Sequence, residues 1–116
     1  MRHRSKKKIL DRKKAPREAL LKGLAAQLIL YEKIKTTEAK ARVLKPIVEK
    51  IITRSKVDTL ANRRLVMAIL PIKSSTKKVF EVLGPRYKER KGGYLRIVKL
   101  DCRKGDGALM AQIEFV

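Results

Sequence analysis

The clearest indication of the architecture is the stretch KIKTTEAKARVLKPIVEKIITRS (residues 33–55). Its first five residues, KIKTT (33–37), are rich in β-prone types and predict a short strand or an extended link. Thr36 or Thr37 can then cap a helix, because a threonine hydroxyl accepts a hydrogen bond from a free N–H at a helix start. The helix is predicted from about Glu38 to Ser55. One face of it is apolar: Leu44, Ile47, Val48, Ile51 and Ile52.

A first helix is predicted before this stretch, from Pro16 to Tyr31. Proline suits the first position of a helix because its missing N–H needs no partner there. Apolar residues then recur at helical spacing in two neighbouring lines. They are Leu20, Leu24 and Leu28 in one line, and Leu21, Ala25 and Ile29 in the other.

Two residues disturb these helical patterns. Gly23 costs the first helix about 1 kcal/mol relative to alanine. It marks either a close approach by another backbone or a tolerated small residue. Pro46 removes the hydrogen bond to the Arg42 carbonyl, so we expect the second helix to kink there.

Two more helices follow. Asp58 is a good cap for a third helix, which Pro71 stops. Ser74 or Ser75 begins a fourth helix, and Gly84 is expected just past its end, where glycine commonly terminates helices. The inward side chains of this fourth helix are predicted to be Val79, Phe80 and Leu83.

The C-terminal third predicts a loop and two strands. The basic loop is GPRYKERKGG (84–93), punctuated by glycine and proline. Residues 94–101 and 109–116 are the strands, joined through DCRKGDGA. In the second strand Ala111, Ile113 and Phe115 alternate with polar residues, which predicts one buried face.

The predicted fold class is α+β. The order is a basic arm, a helix, a strand, three helices and two strands, in two layers with a small three-stranded sheet covered by helices. Residues 1–15 are read as an extended arm and residues 16–116 as a single domain.

The charge of the chain indicates a polyanionic partner. The formal net charge is +20, and the first 17 residues hold nine Lys/Arg and a single Asp. Such a segment cannot fold alone, because it has few apolar residues and its like charges repel. With no Trp, two Phe and three Tyr, base stacking is less favoured than contacts to phosphates and RNA shape.

Other classes of function lack their residues. Cys102 is the single cysteine and His3 the single histidine, so neither a disulfide nor a zinc cluster is predicted. No apolar run approaches the length of a membrane span, and the N-terminus has no apolar core of a signal peptide. No acid/base set or phosphate-binding loop indicates an enzyme. We therefore expect no catalysis, metal, cofactor, membrane or small-molecule substrate.

Four basic clusters are candidate RNA-binding sites. The first is the arm with the residues just after it: Arg2, His3, Arg4, Lys6, Lys7, Lys8, Arg12, Lys13, Lys14 and Arg17. The second surrounds the first strand: Lys33, Lys35, Thr36, Thr37 and Lys40. A helix start with hydroxyls can hold a phosphate, although plain helix capping explains the threonines equally well.

The third cluster is Asn62, Arg63 and Arg64, for which a solvated helix face is the alternative. Adjacent arginines point about 100° apart, so at most one is expected to turn from solvent. The fourth cluster is Arg86, Tyr87, Lys88, Arg90, Lys91, Gly92, Gly93, Tyr94 and Arg96, extended by Arg103 and Lys104. Its arginines suit phosphate, and its paired glycines let a phosphate approach the backbone. Its tyrosines either stack on a base or sugar or pack in the core.

Several motifs together resemble one known family. These are MRHR at the start, KTT (35–37), ANRRL (61–65), LGPRY (83–87), ERKGGY (89–94), RKGD (103–106) and IEFV (113–116). In this order, across the whole chain, they resemble the bacterial large-subunit (50S) ribosomal protein seventeen family. Pro46 is expected to be unusual at its position in that family.

The resemblance implies a structural constituent of the cytoplasmic bacterial ribosome. A member would bind large-subunit ribosomal RNA near the peptide exit tunnel, beside neighbouring ribosomal proteins, and would stabilise the particle during translation. It also implies the same order of helices and strands, and a basic extension that runs into RNA. Two rivals are a nucleoid-type DNA-binding protein, which lacks a visible helix-turn-helix, and an RNA-modifying enzyme, which lacks an acid/base set.

Overall fold

A computed structural model describes Leu10 and residues 12–116. The main elements, in chain order, are α1 (Lys14–Tyr31), β1 (Lys33–Thr37), α2 (Glu38–Ser55), α3 (Leu60–Ile69), α4 (Lys73–Lys78), α5 (Gly84–Arg86), β2 (Leu95–Lys99) and β3 (Met110–Phe115). A π-helical turn, Val79–Leu83, joins α4 to α5. The predicted α+β class is confirmed.

The three strands form one antiparallel sheet in the order β1-β3-β2. The C-terminal strand is therefore central, paired with β1 on one side and β2 on the other. Ile113 lies opposite Ile34 of β1 and Ile97 of β2, which places three isoleucines in one cross-strand row. This apolar face packs against the helices and forms the second layer.

α2 has the bounds that its sequence predicts. The Thr37 hydroxyl accepts a hydrogen bond from the Lys40 N–H at 3.4 Å, so Thr37 is the cap. The helix continues without a break through Pro46, whose side chain is exposed. Its buried side chains extend over the whole length of the helix: Ala41, Leu44, Val48, Ile51, Ile52 and Ser55.

α1 starts at Lys14, two residues before the predicted start at Pro16. Pro16 is tolerated there because the first-turn N–H groups have no partner within the helix. Among the described residues, a Cβ at Gly23 would meet no atom within 4 Å. Gly23 is thus a tolerated small residue and does not mark a close backbone approach within this part of the chain.

The cap of α3 differs from the prediction. Thr59, not Asp58, accepts the hydrogen bond from the Asn62 N–H, at 3.2 Å. Asp58 instead accepts two hydrogen bonds from the Arg63 guanidinium, at 2.6 and 2.8 Å. Both residue types cap helices, and here Thr59 takes the cap position while Asp58 pairs with Arg63.

The prediction that Gly84 terminates the fourth helix is also wrong. Gly84 has helical backbone angles, with φ at −55°, and the helix continues to Arg86. A Cβ on Gly84 would lie 2.5 Å from the Ser55 carbonyl oxygen. The glycine is needed because the last turn of α2 passes against the backbone at this point.

The hairpin between β2 and β3 is closed by a polar turn. Arg103 donates two hydrogen bonds to the Asp106 carboxylate, which also accepts one from the Ala108 N–H. These contacts lower the pKa of Asp106 to about 2, with the Arg103 side chain as the largest cause. Ala111 and Ile113 of β3 are buried and Phe115 packs against the core, so the predicted face is confirmed.

Candidate nucleic-acid interface

Most of the lysines and arginines that the structure describes have no carboxylate partner within the described residues. Among the described residues, ion pairs engage only five carboxylates: Glu32, Glu38, Asp58, Asp106 and Glu114. The chain as a whole contains 31 Lys/Arg. The surface is therefore strongly cationic.

The first cluster is only partly described. Arg2, His3, Arg4, Lys6, Lys7 and Lys8 lie outside the described residues. Arg12 is exposed and donates a hydrogen bond to the Leu10 carbonyl at 2.8 Å. Lys13 and Lys14 are exposed at the start of α1, and Arg17 is half-buried one turn later. The start of α1 therefore carries charge next to the basic N-terminal segment.

The second cluster is divided between the two faces of β1. Lys33 and Lys35 are exposed on the face away from the helices. Thr36 points to the other face and is only 8% exposed. Thr37 is engaged as the cap of α2. The two lysines, with half-buried Lys40 nearby in sequence, are the members available to a phosphate.

In the third cluster one arginine is paired with a carboxylate and the other is exposed without a partner among the described residues. The Asn62 side chain donates to the Val57 carbonyl at 2.8 Å and thereby closes the turn before α3. The Arg63 guanidinium is held by Asp58 and lies 5.0 Å from the Phe80 ring centroid. Its bond to Asp58 raises the pKa of Arg63 and lowers that of Asp58. Arg64 is exposed, so the expectation that at most one arginine turns from solvent is confirmed.

The two tyrosines of the fourth cluster pack in the core, which is the alternative that their sequence left open. Tyr87 is 3% and Tyr94 1% exposed. Their ring centroids are 5.4 Å apart, and Tyr87 also stacks on Phe115 at 6.0 Å. The Tyr87 hydroxyl donates to the Val116 carbonyl at 2.8 Å. Neither ring face is available for stacking on a base.

Three arginines of this cluster and its extension are held by carboxylates. Arg86 pairs with Glu32 at the end of α1, and this bond raises the pKa of Arg86. Arg96 donates to Glu114 across the sheet at 2.7 Å and lowers the pKa of that carboxyl. Arg103 is the partner of Asp106 in the hairpin. Each of these guanidinium groups already has a carboxylate partner, so part of its hydrogen-bonding capacity is used within the protein before any ligand binds.

The remaining members form an exposed basic loop before β2. Lys88, Arg90, Lys91 and Gly93 are exposed, and Gly92 is half-buried. Gly92 and Gly93 have φ of +84° and +62°, a region that favours glycine. The end of this loop and α2 line one groove, whose α2 side consists of Pro46, Glu49, Lys50, Thr53 and Arg54.

Sequence reasoning missed the two cations on this face of α2. Lys50 and Arg54 are both exposed and stand four residues apart, so they share a helix face. That spacing is visible in the sequence. The proximity of residues 92–94 to the same face follows only from the tertiary structure.

Clusters of metal ligands and membrane-spanning helices are two further kinds of feature that bear on function. Within Leu10 and residues 12–116, no group of three His, Cys, Asp or Glu residues could hold a metal ion. In the same region, no helix is long and apolar enough to cross a membrane.

A small α+β domain with a strongly cationic surface is typical of the class of basic nucleic-acid-binding proteins. The family model of ribosomal protein L17 matches residues 20–116. The chain belongs to the ribosomal protein L17 family. It is a structural constituent of the large ribosomal subunit and not an enzyme, and its location is the cytoplasmic bacterial ribosome.

Three curated relatives are similar to this chain over its full length. The large ribosomal subunit protein bL17 of Hydrogenobaculum sp. (strain Y04AAS1) is 50% identical, over 100% of this chain and 99% of its own length. The bL17 of Sphingopyxis alaskensis is 48% identical, over 100% of this chain and 84% of its own. That of Solibacter usitatus is 49% identical, over 100% and 77%.

Proposed function

We propose that this protein binds large-subunit ribosomal RNA through phosphate contacts and so stabilises the subunit near the peptide exit tunnel. The observation that carries the proposal is the excess of exposed, unpaired cations on a chain of this family. A free chain with a net charge of +20 repels itself, and a phosphate backbone relieves that repulsion. The placement near the exit tunnel, beside neighbouring ribosomal proteins, rests on the family resemblance.

The residues proposed for direct contact are cations without a carboxylate partner, together with the two glycines of the basic loop. Among the described residues they are Arg12, Lys13, Lys14, Lys33, Lys35, Arg64, Arg90, Lys91, Gly92, Gly93 and Lys104. Arg86, Arg96 and Arg103 contribute more weakly, since each shares its guanidinium with a carboxylate. Five other predicted residues are engaged within the protein and are proposed to stabilise the fold without contacting RNA. These are Thr36, Asn62, Arg63, Tyr87 and Tyr94.

The chain has few aromatic residues, and Tyr87 and Tyr94 are buried, which favours recognition of RNA shape and backbone. A ligand bound in this way is sensitive to salt, because each neutralised phosphate releases counterions. If six to ten phosphates are contacted, raising the salt concentration from 50 to 200 mM should lower the affinity by a factor of about 10³ to 10⁵.

The test is a competition between ribosomal RNA and duplex DNA. Fluorescence anisotropy with fragments of large-subunit ribosomal RNA should show salt-dependent binding, and duplex DNA of equal length should compete poorly. Equal or tighter binding of DNA would favour the nucleoid-type rival and overturn the proposal. Crosslinking within assembled subunits tests the placement near the tunnel, and crosslinks confined to distant RNA would reject it.

A further inference from the structure

A groove lies between the second half of α2 and the segment that leads into β2. Its α2 wall consists of Pro46, Glu49, Lys50, Thr53 and Arg54, and its other wall of Gly92, Gly93 and Tyr94. The walls are more than 35 residues apart in the chain, so the groove exists only in the folded protein.

The loop wall is held in place by three contacts with α2 and the residue after it. The Tyr94 N–H donates to the Glu49 carboxylate at 3.0 Å. The Lys56 ammonium donates to the Arg90 carbonyl and lies 4.8 Å from the Tyr94 ring centroid. A ligand entering this groove meets walls that are already positioned, which lowers the entropy lost on binding.

The charge in the groove favours an anion. Lys50 and Arg54 are exposed, and among the described residues neither belongs to an ion pair. Glu49 is the single carboxylate of the lining, and it is engaged by the Tyr94 N–H. Lys91, which is exposed beside Gly92, adds a further positive charge at the loop wall.

The glycines keep the loop wall open. Within the described structure, a Cβ at Gly92 or Gly93 would meet no atom within 4 Å, so internal packing does not demand their small size. Among the described residues, the Gly93 N–H donates to no backbone carbonyl. A bare backbone beside two cations suits a phosphate, which can approach closely and accept from an N–H.

The tyrosine in the groove argues against recognition of a base. Tyr94 is 1% exposed, and Lys56 lies over its ring. A base has no aromatic face to stack on here, whereas the cations and glycines match a sugar–phosphate backbone.

We propose that this groove binds the phosphodiester backbone of one RNA strand, with Lys50 and Arg54 contacting phosphate oxygens from α2 while Gly92 and Gly93 admit the backbone from the opposite wall. This inference rests on the proposed RNA-binding function and adds a specific site to it. It also assigns a role to two residues of α2 outside the four basic clusters.

The chain offers a matched control for the test. Lys73 and Lys77 are also exposed, also four residues apart on a helix and also outside ion pairs of the described residues, but they do not line the groove. The double variant Lys50→Gln/Arg54→Gln is compared with Lys73→Gln/Lys77→Gln, so that both lose the same net charge. Circular dichroism verifies that the helices of both are retained.

Affinity for a large-subunit ribosomal RNA fragment is measured across salt concentrations. The groove variant should bind about tenfold more weakly, and the slope of log affinity against log salt should become shallower by about 1.4 to 1.8, as for two lost phosphate contacts. The control should keep the wild-type slope. Equal slopes for the two variants would overturn the proposal that the groove binds RNA. An absence of RNA binding by the wild type would overturn the proposed function itself.

A third variant tests the open wall without a change of charge. Gly93→Asn fills the loop side with a side chain that tolerates positive φ, so folding should be retained. Affinity should fall several-fold while the helical signal is unchanged. Wild-type affinity in this variant would contradict the close approach of the backbone.

Discussion

The two long helices have equal length but different anchoring. α1 and α2 each span 18 residues. The buried residues of α1 are Ala25, Ala26, Leu28 and Ile29, all in its second half. Those of α2 extend from Ala41 to Ser55.

The ends of α2 are also better stabilised than the start of α1. α1 begins without a side-chain cap and without an acidic residue in its first turn. α2 has the Thr37 cap, Glu38 at its start and Arg54 in its last turn, which suits the helix dipole. A helix anchored along its length holds its exposed side chains in fixed positions, as the groove requires. The first half of α1 is expected to open at a lower free-energy cost.

The largest expected effect is in the core face of α2. Leu44 is fully buried, so Leu44→Ala should lower the free energy of unfolding by about 2–5 kcal/mol. Leu21→Ala in the first half of α1 is the control and should cost under about 1 kcal/mol, because Leu21 is outside the core cluster. Urea denaturation measures both. Equal losses would remove the distinction between the two helices.

The next effect concerns the contact at the end of α2. Gly84→Ala places a Cβ 2.5 Å from the Ser55 carbonyl oxygen, and the backbones must separate. We expect a loss of about 1–3 kcal/mol, typical of overpacking. Thermal and urea unfolding report it. An unchanged stability would mean that the last turn of α2 is not held against Gly84.

A glycine in α1 should behave in the opposite way. Since a Cβ at Gly23 would meet no described atom within 4 Å, Gly23→Ala should raise the free energy of unfolding by about 1 kcal/mol through helix propensity. Together with Gly84→Ala, it separates a tolerated glycine from a required one. Destabilisation of the Gly23 variant would show that this side of α1 is packed after all.

The smallest effect on stability is expected from removal of residues 1–13. Residues 1–13 contain few apolar residues, and the first two turns of α1 that follow them carry no buried residue, so the free energy of unfolding should change by less than about 0.5 kcal/mol. Affinity for ribosomal RNA should nevertheless fall, because the chain loses a dense block of cations. Loss of the helical circular dichroism signal would contradict an independently folded domain.

Local patterns were sufficient for α2 and β1, whose predicted bounds are confirmed. The cap, the apolar period and the β-prone run all lie within 23 consecutive residues. They were insufficient where two local signals are equivalent. Asp58 and Thr59 are both good caps, and a glycine that ends a helix resembles one that admits a neighbouring backbone, as Gly84 does.

The candidate interface was likewise predictable from the sequence only in part. Composition and motif order indicated a cationic ribosomal protein, because charge and residue type are properties of the chain itself. They did not separate Arg86, which pairs with a glutamate 54 residues away, from Arg64, which is exposed. They also missed Lys50 and Arg54, whose role depends on the loop across the groove.

The amino-acid sequence by itself determined the fold class, the long helices, the strongly positive charge and the family. These depend on composition, on short-range periodicity and on ordered motifs. Tertiary structure alone decided which arginines are paired, which tyrosines are buried and where the groove lies. Each of these depends on residues that are distant in the chain and meet only when the core packs.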